Sequence, residues 1–388
     1  MYYTDATLTE FTSTIVSCDT REARTTVVLE ATAFYPTSGG QPHDLGTLGD
    51  ASVLDVIDAE DGRILHVLDR PLAVGATVTG LIDPVRRFDH MQQHSGQHVL
   101  SAAFEQTCGV RTESFHLGTT GCTIDLAREV TPTEIVAAED AANRVVWSDR
   151  PVSVRFASEQ EAAALPLRKE SHRSGTLRLV EIADCDLSAC GGTHVSRTGM
   201  IGVIAVTGWE RFKGGSRINF VCGGRALASH RRLRDQMAAV TRHLSVGGAD
   251  AADAVERLQH DVRTHQRSAR LLQEEVAALQ AAALAAAAED VGRFRRVIVQ
   301  REGWDATAIK ALASALVAQP GLVAVVTGSG TPAPCVIARS SDVAFDAGAA
   351  IKEITSTLGG RGGGRPELAQ GAIPDATAFL ELVRDSIR

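Results

Sequence analysis

The stretch R87-F-D-H-M-Q-Q-H-S-G-Q-H-V-L-S-A-A-F104 decides how the rest of the chain is read. Met91, Val99, Leu100, Ala103 and Phe104 are spaced for the apolar face of a helix. Residues four apart on a helix share a face, one turn above the other, so His94 and His98 point the same way. His90 lies on a similar face and reads as a third ligand, a partner of the ligands or an exposed side chain. A second fragment, C190-G-G-T-H194, carries two glycines. These disfavour a helix and permit a tight loop that turns Cys190 and His194 onto one ion. Val195 and the run T198-G-M-I-G-V-I-A-V206 are then expected to return into a strand. Either pair alone says little. Together, three imidazoles and a thiolate make a tetrahedral donor set suited to zinc. Three protein ligands and a water make a catalytic site and four make a closed one; the spacing leaves both open.

The whole chain constrains the class. Its 388 residues suffice for two or three domains. Hydrophobic residues make up 44% and charged residues 22%, as in ordinary globular proteins. No apolar run reaches the length of a membrane span. The start M1-Y-Y-T-D-A-T7 lacks a basic patch followed by an apolar core, so no secretory leader is expected. Seven cysteines without a compact framework favour a reducing, cytoplasmic setting. The net charge of −8 argues against a general nucleic-acid binder. Local basic clusters stand out at Arg86–Arg87, at Arg211, Lys213 and Arg217, and at Arg361 and Arg365, each of which, taken alone, reads first as solvated surface.

Four segments follow from the patterning, in a multidomain α+β chain. Residues 1–85 alternate apolar and polar positions. T25-T-V-V-L-E30, A51-S-V-L-D-V-I57 and R63-I-L-H-V-L68 read as strands of a small β-barrel. Between them lies T32-A-F-Y-P-T-S-G-G-Q-P42, whose Gly39–Gly40 pair marks a turn or a close approach to a ligand. Residues 86–224 form an α+β domain with the histidine helix, strands at Cys122–Leu126 and Pro151–Phe156, and a helix near 132–147 begun by T131-P-T-E134. Residues 225–290 carry apolar stripes through Leu233, Met237, Val240 and Leu244, then Val255, Leu258, Val262, Leu272, Val276 and Leu279. Broken at V246-G-G-A-D250 with Asp250 as cap, they predict two helices in a hairpin or coiled-coil arm. The arm serves a homodimer or packs on its own domain. Residues 291–388 alternate strands and helices as a separate α/β domain. Its G359-G-R-G-G-G-R-P-E-L-A-Q-G371 reads as a loop offering backbone N–H groups and two arginines to phosphate.

T32-A-F-Y-P-T-S-G-G-Q-P42, H94-S-G-Q-H98, C190-G-G-T-H-V195 and the terminal glycine motif occur in one order. That order resembles alanyl-tRNA synthetase from its editing domain onward, and so the free-standing alanyl-tRNA editing proteins in their long form. The terminal motif resembles the DHH-associated domain. The resemblance implies a trans-acting hydrolase that deacylates mischarged tRNA-Ala, carrying serine and in some members glycine. It implies Zn2+ on His94, His98, Cys190 and His194. Thr32 would sense the serine hydroxyl, and Gly39, Gly40 and Gln41 would flank the substrate. Gln97 stands where related synthetases often carry threonine, which bears on substrate preference; with Thr32 it is an expected catalytic residue. Arg361 and Arg365 are the expected grip on the tRNA body. A zinc peptidase is disfavoured, because S-G-Q between the histidines lacks the glutamate of H-E-x-x-H. The alternative is a non-catalytic tRNA-binding adaptor with a structural zinc.

Overall fold

The computed structural model describes residues 1–21, 24–168 and 175–388, which divide into two units, Met1–Ala238 and Ala239–Arg388. The first unit begins with β1 (Glu10–Arg21), β2 (Arg24–Leu29), β3 (Gly46–Leu48), β4 (Ala51–Asp58), β5 (Ile64–Leu68) and β6 (Thr77–Ile82). They close a barrel in the order β1-β2-β5-β4-β3-β6. Side chains alternate between faces along a strand, and in β2 this buries Thr25, Val27 and Leu29. The barrel core gathers Phe11, Ile15, Val27, Phe34, Val53 and Val56. The expected β-barrel is present, with three further strands that the apolar runs did not reveal.

The histidine helix is α1 (Pro84–Cys108). Asp83 caps it by accepting from the Val85 and Arg86 amides, and Gly109 ends it in the left-handed region. This helix is buried on most sides, including Gln92, Gln93, His94, Ser95, Gln97 and His98. Buried polar groups need partners, and Gln93 finds two in the amide and carbonyl of Cys222. Arg87, read as part of a basic cluster, is instead buried and bonded to Asp44 and to the carbonyls of Ala6 and Ala33.

Around α1 lie β7 (Thr112–Leu117), β8 (Cys122–Leu126), α2 (Pro132–Trp147), β9 (Val152–Ala157), α3 (Glu159–Ala163), β10 (Leu177–Ile182), β11 (Asp186–Ala189), β12 (Ile204–Phe212) and β13 (Gly215–Cys222). They make a four-stranded sheet, β12-β13-β8-β7, and a three-stranded one, β11-β10-β9. Thr131 and Glu134 form the capping box that starts α2. The strand expected directly after Val195 is delayed. A 3₁₀ turn at Thr198–Ile201 intervenes, with the Gly199 amide held by Asp149, and Gly202 at φ 70° redirects the chain before β12.

The helix α4 (Gly223–Leu244) crosses the boundary between the units. The second unit holds α5 (Ala251–Ala286), β14 (Glu289–Asp290), β15 (Arg295–Gln300), α6 (Ala306–Val317), β16 (Leu322–Thr327), β17 (Ala333–Arg339), α7 (Ala347–Thr357), β18 (Arg361–Gly364), β19 (Leu368–Ile373) and α8 (Ala376–Ser386). Its sheet runs β14-β15-β16-β17-β19-β18, with β15 and β16 parallel.

Two expectations change here, at Asp250 and at the glycine-rich motif. Asp250 makes no side-chain cap bond. The apolar stripe of α5 through Val255, Leu258, Val262, Leu272, Val276 and Leu279 is exposed in the single chain, which leaves the coiled-coil expectation open. Ala277, Ala281 and Ala285 are buried, in one cluster with Ile309, Leu312 and Leu316 of α6, because alanine lets two helix backbones approach closely. The glycine-rich motif is not a loop but the hairpin β18–β19 at the sheet edge, with Arg361 paired to Ala372. No helix among the described residues is long and apolar enough to cross a membrane.

Candidate metal centre

Two elements deliver the four donors. One turn of α1 carries His94 and His98; the loop after β11 carries Cys190 and His194. Their ligand atoms all lie within 4.8 Å of one another, and three of the four residues are buried. Cys190 Sγ is 3.3 Å from both His94 Nε2 and His194 Nε2. Gly192 makes the loop fit, since a Cβ there would collide with the His94 ring.

The hydrogen bonds behind the rings set which nitrogens face the cluster. The Thr193 amide can only donate, and it donates to Gln41 Oε1 at 3.1 Å. That fixes the Gln41 amide, whose Nε2 donates to Thr193 Oγ1 at 2.8 Å. His94 Nδ1 lies 2.8 Å from the same Oε1, so Nδ1 carries a proton and Nε2 is turned toward Cys190. His98 Nδ1 lies 2.6 Å from the Asp186 carboxylate and donates to it, which turns His98 Nε2 toward the cluster. His194 Nδ1 lies 3.1 Å from Ser95 Oγ, which also takes the Val195 amide. Imidazoles that bind metal through one nitrogen are held through the other in this way.

The electrostatics favour a cation. Burial pushes the Cys190 thiol up, but His94 and His194 beside it outweigh burial and hold it well below the ordinary thiol value. Burial opposes a charge on His98, yet the bond to Asp186 and the Cys190 sulfur raise it to about 9. Asp186 is itself held below the carboxylate range; burial opposes this, and His98 and Arg168 override it. The cluster is divided, since burial and the neighbouring His94 lower His194 to about 3, and a metal ion at the centre competes with the proton on His98. Three imidazole nitrogens and one thiolate fit a zinc-type ion. His90 is not in the cluster; it is buried, its Nδ1 has no partner, and burial lowers it to about 4.

A cavity of about 700 Å³ opens beside the cluster, with His98 and Cys190 in its wall. Gly39, Gly40 and Gln97 line it as well. Gly39 and Gly40 have φ of 54° and 80° in the Ser38–Gln41 turn, and a Cβ on Gly40 would press on the Phe115 ring. The glycine pair is thus a turn that forms cavity wall. Gln97 Nε2 donates to Ser101 Oγ at 2.9 Å, while its buried Oε1 has no partner among the described residues.

Other expected residues stand apart. Gln41 is fully buried and outside the cavity lining, behind His94. Thr32 is also outside that lining and joins the barrel. His66 Nδ1 is 3.1 Å from the Val27 carbonyl and must donate to it, so His66 Nε2 accepts from the Thr32 hydroxyl at 2.9 Å. Thr32 Oγ1 in turn accepts from the Phe34 amide at 3.0 Å. Its hydroxyl proton is committed away from the cluster. Arg361 and Arg365 are exposed in the second unit. Sequence reasoning missed Asp186, Ser95, Arg168 and Arg178. Ser95 was visible between the histidines, but nothing in the pattern around Asp186 ties it to His98.

Comparison with known proteins gives the chain its relatives. Residues 177–219 match the threonyl and alanyl tRNA synthetase second additional domain, and residues 294–388 match the DHHA1 domain. The alanyl-tRNA editing protein Aarsd1 of Rattus norvegicus is 35% identical over 282 residues, covering 68% of each chain. The alanine–tRNA ligase of Halorubrum lacusprofundi is 33% identical over 406 residues, all of this chain and 44% of the ligase. The chain thus spans under half the length of that ligase. The fold and cluster define an α+β protein built on a synthetase-type additional domain. The chain belongs to the alanyl-tRNA editing protein family.

Proposed function

We propose that this chain is a zinc-dependent aminoacyl-tRNA deacylase that acts in the cytoplasm on mischarged tRNA-Ala. Seryl-tRNA-Ala is its principal substrate and glycyl-tRNA-Ala a second. One observation carries the reading: two of the four clustered donors, His98 and Cys190, form part of the wall of a cavity large enough for more than an amino acid. A zinc held by His94, His98, Cys190 and His194 would supply Lewis-acid polarisation of an ester carbonyl. The remaining chemistry belongs to the chain. Asp186 and Gln41 hold the Nδ1 protons of His98 and His94 and so keep both Nε2 atoms turned inward. Gly39 and Gly40 leave the wall without side chains where the ester enters. Gln97 offers an oxygen acceptor without a partner among the described residues. Cys190 serves as a donor rather than a nucleophile, and water is the attacking group.

Such an activity answers a physical limit. A pocket built for alanine rejects serine poorly, because one hydroxyl in a nearly isosteric site costs little. A second site that requires a bond to the hydroxyl discriminates far better. In this reading Thr32 contributes indirectly, by fastening the head of the segment whose Gln41 holds His94. Arg361 and Arg365 contact tRNA phosphates, and the domains follow the divisions at residues 85, 224 and 290. The test is incubation with seryl-, glycyl- and alanyl-tRNA-Ala, with bound metal measured by elemental analysis. Release of serine and its loss together with the metal in Cys190→Ala support the reading. An adaptor with a structural ion would bind all three and cleave none.

A further inference from the structure

The chain carries 3 Trp, 3 Tyr and 11 Phe, and four of these, Tyr3, Tyr35, Phe115 and Phe156, line the cavity beside the metal centre. Three are already engaged with the protein. Tyr3 packs on Tyr2 at 4.5 Å and under the Arg178 guanidinium, Tyr35 meets Tyr2 edge-on at 5.4 Å, and Phe115 lies 5.8 Å from the His94 ring. Phe156 differs: it is 52% exposed on the cavity wall.

Strand register explains its position. In the three-stranded sheet Phe156 of β9 pairs with Arg178 of β10. Leu179 pairs with Ala189 of β11, and the Cys190 amide donates to the Arg178 carbonyl at 3.1 Å, which extends that pairing by one residue. Phe156, Arg178 and Cys190 therefore form one row across the sheet, with side chains on the same face. Two strand spacings put Phe156 about 10 Å from Cys190. Between them the Arg178 guanidinium is pinned, Nε to the Tyr3 carbonyl at 2.9 Å and Nη1 to the Cys190 carbonyl at 2.6 Å. The row is a rigid ruler that starts at a metal ligand and ends at an exposed aromatic face.

An ester on the 3′-terminal nucleotide of tRNA has the same order: the carbonyl, then the ribose, then a purine base at comparable reach. We infer that Phe156 is the stacking platform for that terminal base and thereby sets the distance at which the ester meets the centre. This rests on the deacylase reading. Aromatic stacking on one base contributes roughly five- to hundredfold in binding. It tolerates any aromatic and acts on binding more than on the reacting bond.

The experiment compares Phe156→Leu and Phe156→Trp with the native protein. Kinetics are measured on seryl-tRNA-Ala. Dissociation constants are measured for a non-hydrolysable amide-linked seryl-adenosine and for the same seryl-ribose without its base, on metal-loaded and metal-stripped protein. Phe156→Leu is expected to raise KM and the adenosine-analogue Kd five- to hundredfold, with kcat changed less and the baseless ligand bound as before. Phe156→Trp is expected to keep affinity, with its fluorescence quenched by the base-containing ligand alone. An unchanged adenosine-analogue Kd in Phe156→Leu, or an equal loss for the baseless ligand, overturns the assignment. A native protein that hydrolyses seryl-tRNA-Ala while Phe156→Leu matches it rejects this inference alone. A native protein that neither binds nor hydrolyses these esters rejects the deacylase reading as well.

Discussion

Replacing Gln41 by leucine tests how the centre is built. The side chains are close in volume, so the change mainly removes polarity. Three bonds disappear: to the Thr193 hydroxyl at 2.8 Å, from the Thr193 amide at 3.1 Å and from His94 Nδ1 at 2.8 Å. Two donors, the Thr193 amide and His94 Nδ1–H, are left in a region where Gln41, His94 and Thr193 are each at most 1% exposed. A buried donor without a partner costs about 1–3 kcal/mol, so the pair costs about 2–6 kcal/mol. That is a large share of a stability of about 5–15 kcal/mol. The His94 ring is also released to turn, and losses of this kind cost about 10–100-fold in metal affinity. Urea unfolding of metal-stripped protein reads the first quantity, and competition with a chromophoric chelator reads the second. Gln41→Glu keeps an acceptor oxygen and is expected to lose less of both. If Gln41→Leu leaves both the unfolding midpoint and the metal affinity unchanged, the argument that Gln41 orients His94 is refuted.

Thr32→Val is expected to slow hydrolysis of the seryl ester without making the alanyl ester a substrate, because the Thr32 proton belongs to His66; new cleavage of the alanyl ester would instead show direct sensing. Burial lowers His66 to about 4, so the unfolded chain binds more protons at this site between about pH 6.5 and 4. His66 therefore costs no stability above pH 6.5 and about 3 kcal/mol as pH falls to about 4. His66→Gln should flatten that part of the urea-midpoint profile, and an unchanged slope would contradict it. Arg361→Glu with Arg365→Glu should weaken tRNA binding, and flatten its salt dependence, more than it slows a small seryl ester; equal tRNA affinity would assign the hairpin another task.

The sequence carried the centre better than its surroundings. His94 and His98 were legible because helical spacing alone fixes their shared direction. Cys190 and His194 were legible only beside the histidine pair, with two glycines that permit a tight loop. Thr131 and Glu134 announced the start of α2 through local chemistry that needs no tertiary partner. What the sequence did not show depends on distant residues. Thr32 and His66 are 34 residues apart, and their bond depends on barrel closure. Asp186 meets His98 across 88 residues and leaves no periodic trace. The stripe on α5 was read by size, and the face packed on α6 is a second one, built from Ala277, Ala281 and Ala285, which apolar periodicity did not mark. Glycines at 362–364 suggested a loop because they give no strand signal, yet they pair along β19, where Gly371 leaves room for Gly362.

The most direct measurement follows serine and alanine released from the two charged forms of tRNA-Ala by the native, metal-loaded protein in parallel time courses. The account requires that the seryl ester be cleaved while the alanyl ester survives, and that chelation stop the cleavage. Tight binding of both forms with neither hydrolysed, or hydrolysis that persists in metal-stripped Cys190→Ala, would contradict it.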